Sequence, residues 1–159
     1  MSFTVTIAIN RSFHTKAPAE KVFELLADVE KSGSFFPKVE KMVNLGDNTW
    51  RWEMERIGIG EHTLQQTIYA CRYHSDKNSL NVTWTPVEGI GNGIVEGKWE
   101  IVPMEGEARI IFHSGGVLTV GLPAFLDFLL SPLIRLEFER LVDEYITNLT
   151  NALEHNQTE

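Results

Sequence analysis

LIRLEFERLVDEYITNLTNAL, residues 133–153, reads as the core of one long amphipathic helix. Ile134, Phe138, Leu141, Tyr145, Leu149 and Leu153 recur every three or four positions, while Glu137, Arg140, Asp143 and Glu144 fall on the other side. The helical pattern extends from about residue 123 to residue 155. Pro132 lies inside it and lacks the N–H that a helix interior needs. It is expected either to kink the helix or to divide it into a short apolar helix from Ala124 and a longer one from Leu133. A helix with a single apolar stripe must bury that stripe, and the chain upstream offers mainly strands to receive it.

Working back from the helix, six segments read as strands: 39–45, 49–57, 62–73, 79–85, 94–102 and 108–113, each bounded by Gly, Asn, Asp or Pro. Trp50, Trp52 and Met54 alternate with Arg51, Glu53 and Glu55, and Val95, Gly97, Trp99 and Ile101 alternate with Glu96, Lys98 and Glu100. Leu80, Val82 and Trp84 supply a third inner face. In 62–73 and 108–113 polar residues fall on both parities, and the reading places Leu64, Gln66 and Ile68, and Ile110 and Phe112, inward. Gly89–Gly93 is a loop with a favoured Asn92-Gly93 turn pair, and Ser114-Gly115-Gly116 is a break after the last strand. Before all of these, Val5, Ile7 and Ile9 begin a first strand that runs to about Phe13. Lys16-Ala17-Pro18 stops it, a short helix follows from Ala19 with Val22, Phe23, Leu25 and Leu26 on one face, and a second short helix or turn covers 29–36.

This order predicts an α+β fold: a curved antiparallel sheet of about seven strands wrapped around a long C-terminal helix, with two short helices after the first strand. Residues 1–155 form one domain and 156–159 a tail, which suits a chain of 159 residues. With 14 basic against 22 acidic side chains the net charge is -8, which repels a phosphate backbone, so nucleic acid is not expected as a partner. Cys71 is the single cysteine, and the five histidines lack metal-ligand spacing, so neither a disulfide within the chain nor a metal site is expected. The N-terminus carries no basic segment followed by an apolar run, and the expected location is the cytoplasm.

The string Ala17-Pro18-Ala19-Glu20-Lys21-Val22-Phe23-Glu24-Leu25-Leu26-Ala27-Asp28, followed by Phe35-Phe36-Pro37-Lys38-Val39, resembles the opening of the START-like superfamily, in its polyketide cyclase/dehydrase and lipid-transport branch. Gly97-Lys98-Trp99-Glu100-Ile101-Val102-Pro103 before a last strand and a long terminal helix continue the likeness. The resemblance implies a helix-grip fold whose cavity binds lipids, sterols, polyketides or other hydrophobic molecules, with a minority of members catalysing cyclisation or dehydration. It carries over no catalytic residue and implies no cofactor.

The residues expected at such a ligand are Phe36, Trp52, Met54, Leu64, Gln66, Trp84, Trp99, Phe112, Phe138 and Tyr145, the tryptophans giving a rigid lining with N–H groups as polar handles. Phe125, Phe128 and Leu129 are added as an apolar lip at the cavity mouth, within a segment 122–130 that also suits contact with a membrane or a protein partner. The function read from the sequence is binding or transport of a small hydrophobic molecule. The alternatives are a polyketide cyclase/dehydrase-type enzyme and an accessory protein acting through 122–130. The oligomeric state is left as monomer or dimer.

Overall fold

In the computed structural model, residues 1–59 and 62–155 are described. Leu64 belongs to a strand but its side chain lies outside what is described, as does the 156–159 tail. Strand β1 (Phe3–Thr15) is followed by helices α1 (Ala19–Ala27) and α2 (Val29–Gly33). Strands β2 (Val39–Gly46), β3 (Thr49–Met54), β4 (Ile57–Ile59), β5 (His62–Gln65), β6 (Ile68–Asp76), β7 (Asn81–Pro86), β8 (Gly93–Met104) and β9 (Glu107–Val120) come next, and helix α3 (Asp127–His155) closes the chain. Seven strands make one antiparallel sheet in the order β1-β9-β8-β7-β6-β3-β2, and β4 and β5 form a separate hairpin. The first and last strands of the chain therefore pair along their whole length, Phe3 opposite Val120 through Thr15 opposite Ala108.

Helix α1 starts where the proline fits: Pro18 is extended, and its carbonyl accepts the N–H groups of Lys21 and Val22. Its apolar face, Ala19, Val22, Phe23 and Leu26, is buried. Asp28 ends α1 and caps α2, its carboxylate accepting the Lys31 N–H at 3.1 Å.

Of the two outcomes expected at Pro132, division is not seen: helix α3 runs unbroken from Asp127 to His155 with Pro132 inside, and a 3-10 turn at Ala124–Leu126 precedes it. The proline lies in the second turn at an exposed position, and Phe128, whose carbonyl loses its helical donor to it, is an exposed residue as well. On either side of Pro132, Leu130 and Ile134 are anchored against Phe3, Val5, Leu118 and Val120. Towards the other end Val142, Tyr145, Leu149 and Leu153 pack with α1 and the centre of the sheet.

Three strands also differ from their sequence limits by more than two residues, the expected 49–57 among them: it ends as β3 at Met54, and Ile57 opens β4. Strand β9 continues through Ser114-Gly115-Gly116 to Val120, so those glycines are strand residues and not a break. A Cβ on Gly116 would meet the Ile94 carbonyl oxygen at 2.4 Å, so the bare backbone is what lets β8 approach. The expected 62–73 strand is two elements, because the chain passes from the β4–β5 hairpin into the main sheet at residues 66–67. Asn92 fixes that passage: its amide donates to the Gln66 carbonyl at 2.7 Å and accepts the Ile68 N–H at 2.9 Å.

Candidate functional site: an aromatic cavity under the helix

Between α3 and the concave face of the sheet lies a cavity of about 100 Å³. It falls where the two packed ends of α3 meet, and Ile7 and Phe138, which touch both ends, line it. Six aromatic side chains close a circuit around it. Trp52 meets Phe36 edge-on at 6.0 Å, Phe36 meets Tyr145 at 4.9 Å, and Tyr145 meets Trp99 at 5.9 Å between ring centres. Trp99 meets Trp84 at 6.4 Å and Trp84 meets Tyr73 at 5.9 Å. The circuit ends in a hydrogen bond, the Trp52 indole N–H donating to the Tyr73 hydroxyl at 2.9 Å. Edge-on and tilted contacts are favoured arrangements for aromatic pairs, each worth about 0.5–1.5 kcal/mol beyond area burial.

Strand register places these rings together. Trp52 stands opposite Tyr69 across the β3–β6 pair, and the two rings stack at 6.0 Å. Tyr73 stands opposite Trp84, and Trp84 opposite Gly97. That glycine is a seat for the indole: a Cβ at Gly97 would lie 2.2 Å from Trp84 Cζ2.

Of the residues read from the sequence as ligand contacts, Phe36, Trp52, Met54, Trp84, Trp99, Phe112, Phe138 and Tyr145 line the cavity. Gln66 does not: it is half-buried outside, donating to the Met54 carbonyl at 3.2 Å. Its neighbours on the opposite parity, Thr67, Tyr69 and Tyr73, take the inward positions. Phe125, Phe128 and Leu129 are not in the cavity wall either. They stand at the surface, Phe125 72% and Phe128 83% exposed, and the stripe continues through Leu133 and Leu136 on the outer side of α3.

The polar groups of the lining are neutral. Burial holds the phenols of Tyr69, Tyr73 and Tyr145 above their ordinary range. For Tyr145 a hydrogen bond with Ser32 offsets part of that rise, and for Tyr73 the Trp52 bond does the same. Cys71 lies behind the lining, its thiol donating to the Val95 carbonyl at 3.2 Å, and burial pushes it up to about 12. A thiol so protonated is a poor nucleophile. No Asp, Glu, Lys, Arg or His among the described residues lines the cavity. Among the described residues no group of three or more His, Cys, Asp or Glu is placed to hold a metal ion, and no helix is long and apolar enough to cross a membrane.

This architecture can be set beside known proteins. Residues 6–154 match the family model described as polyketide cyclase / dehydrase and lipid transport. The chain belongs to that family. Solved structures with the same fold include a START superfamily protein from Mycobacterium smegmatis, 14% identical, with a TM-score of 0.67 over 93% of this chain and 97% of that one. The Zhui aromatase/cyclase from Streptomyces sp. R1128 is 16% identical, with a TM-score of 0.60 over 95% of this chain and 93% of that one. A norcoclaurine synthase point mutant from Thalictrum flavum is 14% identical, with a TM-score of 0.62 over 99% of each chain. At these identities the likeness is one of fold. No curated protein matches the chain. The sheet and α3 thus form a helix-grip fold, which the START superfamily protein shares.

Proposed function

We propose that residues 1–155 act as one ligand-binding domain that holds a small hydrophobic molecule inside the aromatic circuit. The observation that carries this reading is the circuit itself: six rings enclose a space with few polar groups and no charged one. Removing apolar ligand surface from water there is worth about 25 cal/mol per Å². The neutral hydroxyls of Tyr69, Tyr73 and Thr67 would orient the bound molecule. A cavity of about 100 Å³ is below the roughly 150 Å³ of an engineered apolar cavity that takes benzene, so it suits a short chain, and a ring enters as the walls give.

The family description and the aromatase/cyclase neighbours support an enzymatic reading, the cyclisation or dehydration of a polyketide-like substrate. The lining argues against it, because general acid-base work needs a group that changes protonation near the working pH, and the titratable groups among the described lining residues are phenols raised by burial. A buried unpaired thiol accords with a reducing cytoplasm.

One experiment serves both readings. Protein purified without detergent is examined by native mass spectrometry, the bound molecule is extracted, and it is titrated back into wild type and Phe138→Ala. Recovery of the same molecule unchanged, bound at least about tenfold more weakly by the variant, is the expected result. Loss of water or ring closure on incubation would favour the enzyme, and no adduct with no uptake of an apolar probe would reject the cavity as a binding site.

The exposed stripe of Phe125, Phe128, Leu129, Leu133 and Leu136 supports a second, separable role: contact with a membrane or protein partner. Co-sedimentation with vesicles that is lost in Phe125→Asp/Phe128→Asp is the expected sign of membrane contact, and equal sedimentation of both proteins would remove that role.

A further inference from the structure

Against the cavity wall lies a second, larger chamber of about 360 Å³, and the two share Met54, Thr67 and Phe138. The character changes across those shared residues. The inner space is apolar, whereas the outer one is bounded by Lys38, Glu55, Arg56 and Glu137. Glu137 is already engaged: Lys38 Nζ stands 3.3 Å from it, and Arg140 donates to it at 2.7 and 3.2 Å. Glu55 and Arg56 have no ionic partner among the described residues. Lys38 is built into place, its backbone held at a positive φ of 57° while its carbonyl accepts the Glu55 N–H at 2.8 Å. A lysine kept in that sparsely populated conformation costs folding energy, and such outliers gather at ligand clamps.

The donors left over in the chamber outnumber the acceptors. Among the described residues, one Lys38 hydrogen bond goes to Glu137, leaving two ammonium donors, and Arg56 has no hydrogen-bond partner for its guanidinium fork, against the single carboxylate of Glu55. We infer that the outer chamber is a head-group site, and that the ligand is amphipathic: a ring or short chain in the cavity, and a carboxylate or similar oxyanion held by Lys38 and Arg56. This rests on the binding reading above and extends it from an apolar ligand to an anionic amphiphile. The connecting atoms pass between Met54, Thr67 and Phe138, and the Thr67 hydroxyl, paired with Gln65 at 3.3 Å, is the polar group beside their path.

The test uses three probes of one skeleton, 3-phenylpropanoate, 3-phenylpropan-1-ol and 3-phenylpropylamine, titrated calorimetrically into wild type and into Lys38→Met/Arg56→Gln. The expected result is that wild type binds the acid about tenfold or more tighter than the alcohol, with the amine weakest. The double variant loses that preference while its affinity for the alcohol is unchanged. Equal binding of acid and alcohol, a preference for the amine, or a preference for the acid that survives the double variant would each overturn the head-group site and leave the cavity reading intact. Binding of none of the three by wild type would overturn both.

Discussion

Gly97 shows how much of the cavity hangs on a single missing atom. Its Cβ would stand 2.2 Å from Trp84 Cζ2 and 2.6 Å from the His113 carbonyl oxygen, and backbone on that side cannot yield. In Gly97→Ala the indole must therefore swing off its seat, and the space it can enter is the cavity. The variant is expected to lose about 1–3 kcal/mol of stability through overpacking and to bind 3-phenylpropan-1-ol at least about tenfold more weakly. Urea unfolding and calorimetry check the two effects separately. An unchanged midpoint with unchanged affinity would mean that Trp84 does not need this seat. Trp52, Trp84 and Trp99 could be placed inward from sequence because charged residues alternate with Trp52 and Trp99 and polar residues flank Trp84. Tyr69 and Tyr73 could not, because the inner parity of their segment begins with polar Gln65 and Thr67 while the outer one carries apolar Ile68. Gln65 and Thr67 are buried as a mutually hydrogen-bonded pair, which removes the penalty that would otherwise send them outward. The overlooked signal was the odd-numbered run Tyr69, Cys71, Tyr73, which shares its phase with that pair.

At the scale of elements, the long helix and the seven-strand sheet were legible because both follow hydrophobic periodicity, and periodicity survives local irregularity. What was not legible were the interruptions. Pro132 and the Ser114-Gly115-Gly116 run each carry a local signal for stopping an element, and each is overruled by packing: Leu130 and Ile134 pin the helix on both sides of Pro132, and the β1–β9 ladder pairs straight through the glycines. Conversely, the break between β5 and β6 has no glycine or proline to announce it. It is made at a distance by Asn92, which lies between β7 and β8 and satisfies the backbone of Gln66 and Ile68 with its amide. Read from sequence alone, Asn92 is half of a turn pair. In the fold it also holds the backbone on either side of Thr67, a residue that lines both the cavity and the chamber.

For the whole molecule, burying three phenols under one helix ties stability to alkaline pH. Tyr69, Tyr73 and Tyr145 are held neutral by burial, and all three exceed the ordinary value near 10. In the unfolded chain they ionise near that value, while the folded chain keeps its protons. Above about pH 10 the folded state therefore binds more protons than the unfolded one, and stability falls as pH rises; below it both states are protonated and these groups contribute no slope. Each phenol adds up to about 1.4 kcal/mol per pH unit, so three together can consume a stability of 5–15 kcal/mol within a few units. The expected outcome is a urea midpoint that drops steeply above about pH 10, with a shallower drop, by about one phenol's share, in Tyr73→Phe. That variant should also lose roughly 1 kcal/mol at neutral pH, because the Trp52 indole N–H is left without its acceptor. If instead the three phenols titrate near 10 by tyrosine absorbance while the protein stays folded, water reaches them freely, and the aromatic circuit does not seal the space that the helix grips.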